Sequence, residues 1–235
     1  MRTTVLGRTA ASRFCATIAA FAGAAHSAAA TLEVYVVDEQ GRPIENVAVY
    51  ATPAHALEHA GATETAAADA AATSKAVMDQ RGLQFVPHLL VVQAGTEVTF
   101  PNGDDVSHHV YSFSETKPFE LPLYKGDAYP PVLFDRAGIV VLGCNIHDGM
   151  LGYIVVVDTP HFAQTNEQGI ALIDGVPNGD YVVAAWTPRV RPANLPPSLQ
   201  VTVTEQGAGA AEIRIKGRLA PAHQHGASSL TWERY

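Results

Sequence analysis

Cys144, His147 and Met150 stand at positions i, i+3 and i+6 in the run Cys144-Asn145-Ile146-His147-Asp148-Gly149-Met150. A thiol, an imidazole and a thioether at that spacing fit on one tight loop, where all three side chains can converge. A second imidazole is available upstream, in Asn102-Gly103-Asp104-Asp105-Val106-Ser107-His108-His109. Two imidazole nitrogens and a thiolate in a trigonal plane, with a weak thioether on the axis, make a blue-copper electron-transfer site. The soft donors hold Cu(I), the imidazoles accept Cu(II), and a rigid frame leaves little to rearrange when an electron moves. Three other readings fit the same residues less well. An inert buried thiol needs no His or Met in register, a Cys–His nucleophilic pair is normally distant in sequence, and zinc prefers a harder fourth ligand than a thioether.

The thiol count sharpens the point. The chain has 2 Cys, Cys15 and Cys144. Arg2, Arg8 and Arg13 flank the start of an apolar, small-residue run from Phe14 to Ala25, followed by Ala28-Ala29-Ala30. A positive region, a short hydrophobic region and an A-x-A site read as a secretory signal peptide over residues 1–30. Its removal takes away three Arg and no acid, moving the formal charge from −8 to −11. The expected mature protein is periplasmic or secreted, with Cys144 as its single thiol. In an oxidising compartment such a thiol is vulnerable unless buried or metal-bound, and metal ligation would hold it as a shielded thiolate.

The elements that must position these residues read as β. Leu32, Val34 and Val36 alternate on one face, and Val47, Val49 and Ala51 follow after the turn Asp38-Glu39-Gln40-Gly41-Arg42-Pro43. Residues 61–77 form an Ala-rich linker. A second β block, 78–158, carries the chemistry, with Ile139–Leu142 and Gly152–Val157 as the strands on either side of the Cys144–Met150 loop. Glu115–Pro131, long and rich in Pro, reads as a loop. Short strands recur in a third block, including Tyr181–Trp186 and Ser198–Thr204, and residues 218–235 read as a flexible tail.

Composition narrows the function. Of 235 residues, 47% are hydrophobic and 16% charged, with 15 Lys+Arg against 23 Asp+Glu. The apolar fraction excludes a wholly disordered chain, and the mild acidity argues against nucleic-acid binding. Two cysteines are too few for a disulfide scaffold or an iron–sulfur protein.

Residues 78–158 resemble the cupredoxins of the plastocyanin, pseudoazurin and amicyanin group, with the short ligand loop of amicyanin. The matching pieces are Phe85-Val86-Pro87, Gly95 with Val98-Thr99-Phe100, Asn102 six residues before His108, and Phe134-Asp135-Arg136-Ala137-Gly138. They end with Cys144-x2-His147-x2-Met150-x-Gly152-x-Ile154-Val155-Val156. Bacterial proteins of similar type often carry the label "methylamine utilization protein". The resemblance implies one copper ion, cycling between Cu(I) and Cu(II), with His108, Cys144 and His147 in the plane and Met150 on the axis. It further implies a redox partner such as a cytochrome c or a dehydrogenase, and no enzymatic step. One departure stands out: cupredoxins usually place Asn directly after the first ligand His, whereas this chain has His109. The following strand should turn His109 away from the metal.

Val36–Val47 and the runs Thr165–Gly169 and Gly175–Val183 resemble the hairpins of carboxypeptidase regulatory-like, transthyretin-type sandwiches. Because they flank the cupredoxin-like block, the expected organisation is an all-β chain. A small Ig/transthyretin-like sandwich, 31–60 plus 159–217, is interrupted by a Greek-key copper sandwich at 78–158. The leading expectation is one-electron transfer through a type 1 site of two histidines, one cysteine and one methionine. The alternatives are a copper carrier or delivery protein, and a surface-interaction sandwich with a secondary metal site. Of the remaining candidates, His88, His55 with His59, and His223 with His225 read as solvated or edge residues. His161 and Trp186 read as packing of the outer sandwich, and Asp104, Asp105, Asp127 and Asp148 as surface acids.

Overall fold

The computed structural model describes residues 29–58, 74–190 and 196–221. Residues 1–28 of the expected signal peptide, most of the expected linker, His59, His223 and His225 therefore lie outside the described residues. Every regular element but one is a strand, as the alternating pattern requires. In chain order they are β1 (Ala30–Asp38), β2 (Ala48–Pro53), the five-residue α1 (Ala54–Glu58), β3 (Lys75–Val77), β4 (Asp79–Gln80), β5 (Phe85–Val86) and β6 (Leu89–Gln93). There follow β7 (Thr96–Thr99), β8 (His108–Ser112), β9 (Phe119–Tyr124), β10 (Val132–Phe134), β11 (Gly138–Cys144) and β12 (Leu151–Val157). The last five are β13 (Phe162–Gln164), β14 (Ile170–Val176), β15 (Gly179–Trp186), β16 (Ser198–Val203) and β17 (Ala210–Ile215).

Strands from the two ends of the chain pair with each other. β1 lies between β14, antiparallel, and β17, parallel, while β2 lies between β13 and β15, with β16 beyond. Period-two alternation explains why. Leu32, Val34 and Val36 of β1 are buried on one face, and they pack with Val47, Val49, Ile173, Val183 and Ile213 in a continuous apolar core. Asp38 closes the first turn: its carboxylate accepts the Gln40 and Arg42 backbone N–H groups at 2.9 and 2.8 Å and the Arg42 Nε–H at 2.6 Å.

The middle of the chain builds its own pair of sheets, a five-stranded one in the order β6-β12-β11-β8-β9 and a three-stranded one in the order β10-β7-β3. Their core holds Phe85, Phe100, Val110, Phe134, Leu142, Ile154, Cys144 and Met150. A third apolar cluster, Ala48, Leu89, Val155 and Val157, with Trp186, Tyr50 and Phe162 against it, joins β2, β13 and β15 to β6 and β12. Trp186 thus packs on Tyr153 of β12, centroids 5.7 Å apart, and not within the outer sheets alone. Removing this seam from water contributes to holding the inner sheets fixed on the outer ones.

Two local expectations are corrected. Lys75–Val77, read as linker, forms β3 and pairs with β7 in parallel. Part of Glu115–Pro131, read as loop, forms β9, because Leu121 and Tyr124 bury themselves against β8. Pro122 is accommodated because β9 is an edge strand, where one missing N–H leaves no ladder bond broken.

Candidate metal centre

Three elements deliver the candidate ligands. β8 begins with His108 and alternates in burial, so His108, Val110 and Ser112 face the core while His109 and Tyr111 face outward. β11 ends at Cys144, whose backbone pairs with Val110 of β8. That register sets the thiol beside the start of β8. The loop Asn145–Met150 then returns into β12, with Gly143 opposite Leu151. Gly149 takes the left-handed conformation at φ 79°, which a residue with a side chain adopts only under strain. Here it lets the Met150 N–H donate to the His147 carbonyl at 3.3 Å and tightens the loop.

The donor atoms meet. His108 Nδ1 and His147 Nδ1 are 3.0 Å apart, and Cys144 Sγ lies 3.9 Å from the first and 3.6 Å from the second. The point equidistant from the three lies about 2 Å from each, the length of a bond from a first-row metal ion to imidazole nitrogen or thiolate sulfur. Among the described residues this is the one group of three His, Cys, Asp or Glu side chains close enough to hold a metal. The donor set itself, two borderline nitrogens and one soft sulfur, fits copper and disfavours hard ions such as magnesium or calcium. His108 is fully buried, Cys144 is 8% exposed with no disulfide, and His147 is half-buried at the surface end of the cluster. Met150 is buried in the same apolar cluster as Cys144, at 3% exposure.

His109 turns outward, as the alternation required. Its Nε2 stands 2.9 Å from Glu120 Oε1, in ion-pair range but off hydrogen-bond alignment, and its ring packs near Tyr111. The chain register between β8 and β9 shifts between His108 and Val110, a local irregularity of the kind that re-aims a side chain. His88 packs edge-on against Tyr153 and contacts the Leu151 carbonyl, and His161 packs edge-on against Tyr181. Neither joins the cluster.

Asp104, read from sequence as a surface acid, is instead a partner of the site. Its Oδ2 lies 2.8 Å from His108 Nε2. The Gly82 and Leu83 backbone N–H groups donate to the same carboxylate at 2.6 and 3.0 Å. Partial burial pushes this carboxyl up, but the Leu83 N–H, the His108 ring and the Gly82 N–H outweigh it and hold Asp104 below the ordinary carboxylate range. Asn102 staples the same loop. Its Nδ2 donates to the Val106 and Tyr124 carbonyls, and its Oδ1 accepts the Asp104 N–H. The one hint in sequence was Asn102 two residues before Asp104, the pattern of an Asx turn that would fold the loop back. Behind His108, the Tyr124 hydroxyl donates to the Phe100 carbonyl and accepts from Gln80, and burial pushes this phenol up to about 12. It stays a neutral, fixed support.

No family model and no curated protein matches the chain. Among solved structures, it is similar to a purple cupredoxin from Nitrosopumilus maritimus, at 21% identity over 36% of this chain and 99% of that one, with a TM-score of 0.31. It is also similar to two amicyanin variants, one reduced and one in the Cu(I) form. Each is 25% identical over 46% of this chain and 99% of its own, with a TM-score of 0.33. These neighbours are cupredoxins.

Proposed function

We propose that the chain is a type 1 copper protein that transfers single electrons in the periplasm or outside the cell. The observation that carries this reading is the meeting of two Nδ1 atoms and one Sγ within bonding reach of a single point. His108, Cys144 and His147 would hold the ion, with Met150 as the weak fourth donor from the same loop. Copper supplies a one-electron couple between Cu(II) and Cu(I) when bound. The protein's part is to keep the donors where they are. His108 and Cys144 sit on paired strands of the five-stranded sheet, so their geometry cannot relax independently. Burial of His108, Cys144 and Met150 excludes water from one side of the site.

His147 is the half-buried member, and the exposed side chains of Ile146 and Leu151 flank it in sequence. A partner redox protein, a cytochrome c or a dehydrogenase, would approach its ring edge through a brief contact. The N-terminal run with Arg2, Arg8 and Arg13 supports export. The strands at the two chain ends are proposed to form a separate, non-catalytic sandwich into which the copper sandwich is inserted.

The test separates electron transfer from copper delivery. Copper-loaded protein is cycled repeatedly between ascorbate and ferricyanide in the presence of a Cu(I) chelator. Full retention of copper with complete spectral recovery supports electron transfer. Loss of the metal to the chelator in the first reduced phase overturns it.

A further inference from the structure

The His108 ring has two nitrogens, and the structure assigns each a task. Nδ1 faces Cys144 and His147, and Nε2 faces the Asp104 carboxylate at 2.8 Å. We propose that Asp104 is a positioning residue for the centre. It fixes the His108 ring with its Nδ1 lone pair turned inward, and its charge makes that imidazole a stronger donor to Cu(II) than to Cu(I). This inference rests on the copper reading above and deepens it.

The carboxylate is itself held from behind. Arg81 and Gln84 exchange backbone hydrogen bonds across a two-residue turn, at 2.9 and 3.2 Å, and both residues between them, Gly82 and Leu83, have positive φ, 60° and 59°. Such a turn points its N–H groups to one side, and here Gly82 N–H and Leu83 N–H both end on Asp104. A leucine in this backbone region is unfavourable, and it persists only where its surroundings over-determine it. Two of the three donors to Asp104 are therefore main-chain groups of a closed hairpin, and the third is His108. The carboxylate has one orientation available, and it passes that orientation to the ring.

A metal-bound imidazole whose second N–H meets a carboxylate is a better electron donor than one facing a neutral group, and such partners affect metal affinity by about 10–100-fold. Extra donor strength stabilises Cu(II) more than Cu(I), so it lowers the reduction potential. The assignment is tested with D104N and D104A against D105N, which changes the exposed neighbour Asp105 and removes the same charge away from the ring.

In the metal-free protein, 15N shifts of His108 report which ring nitrogen carries the proton. Wild type and D104N should keep it on Nε2, since an amide oxygen still accepts there, and D104A should lose that preference. In copper-loaded protein, D104N should raise the Cu(II)/Cu(I) midpoint by a tenfold change in relative affinity, equivalent to about 59 mV, while D105N leaves it in place. Equal midpoints in wild type and D104N, or equal shifts in D104N and D105N, would overturn the proposal. A wild type that forms no blue centre would sink the copper reading instead. The nitrogen shifts would then still decide whether Asp104 sets the His108 ring, since an unchanged preference in D104A refutes it.

Discussion

His108 and His147 are 39 residues apart in the chain, yet their Nδ1 atoms stand 3.0 Å from each other. Two imidazole nitrogens at that distance cannot both carry a proton and face each other. With His108 Nε2 engaged by Asp104, the consistent arrangement has His147 donating and His108 accepting. A metal ion held by both Nδ1 atoms would shift the His147 proton to its Nε2, and the Cys144 thiol would give up its own proton, so loading should release a proton.

His147 is the accessible half of that pair. We expect His147→Gly to fold with a stability change of about 1 kcal/mol or less, because the residue sits on a half-exposed loop. Copper bound to this variant should have an altered spectrum, and added imidazole should restore the wild-type one. Failure of imidazole to change the spectrum would place His147 outside the coordination sphere.

Met150 separates packing from ligation. Met150→Leu keeps the volume of a side chain only 3% exposed, so its stability cost should be below about 1.5 kcal/mol in denaturant titration. Met150→Gln introduces an oxygen donor that favours Cu(II). The midpoint should fall in the Gln variant and rise in the Leu variant, each by about 59 mV or more for a tenfold change in relative affinity. Midpoints unmoved in both would remove Met150 from the site.

Much of this site is local, and what is local was legible. Cys144 and His147 stand three residues apart, and that spacing alone pointed to a shared cluster, which the structure completes with His108. The alternation of β8 likewise foretold that His108 and His109 face opposite ways. Asp104 was not legible, because two of its three partners, Gly82 and Leu83, lie more than twenty residues away and contribute main-chain groups, which have no sequence signature. β3 and β9 were missed for a related reason. Lys75–Val77 and Phe119–Tyr124 carry weak patterns of their own and become strands only because β7 and β8 offer them a hydrogen-bonding edge.

Gly152 tests the frame under the loop. A Cβ there would meet the Phe85 side chain at 2.8–2.9 Å, at the point where β12 leaves the Asn145–Met150 loop. Gly152→Ala should destabilise the protein by about 1–3 kcal/mol, since Phe85 is fully buried and has no room to retreat. Thermal or urea unfolding checks this, and a neutral result would mean that the approach of β12 to β5 is looser than the structure has it.

Asp38 gives the outer strands an acid-sensitive anchor. Burial raises its carboxyl, but the Arg42 and Gln40 contacts prevail and hold it below its ordinary value of 3.8. A depressed folded value means the unfolded chain binds the proton more readily. The contribution is fully present above about pH 4 and is lost as pH falls through the folded value. Asp38→Asn should therefore flatten the acid limb of a stability-against-pH curve below about pH 4. An unchanged limb would show that the turn at Asp38–Pro43 does not depend on the carboxylate.

The most direct measurement is the visible absorption spectrum of the protein loaded with one equivalent of Cu(II), beside that of Cys144→Ser. A thiolate bound to Cu(II) in a trigonal plane should give an intense charge-transfer band that is absent from the serine variant. A wild-type spectrum with only the weak bands of ordinary Cu(II), the same as that of Cys144→Ser, would contradict the account.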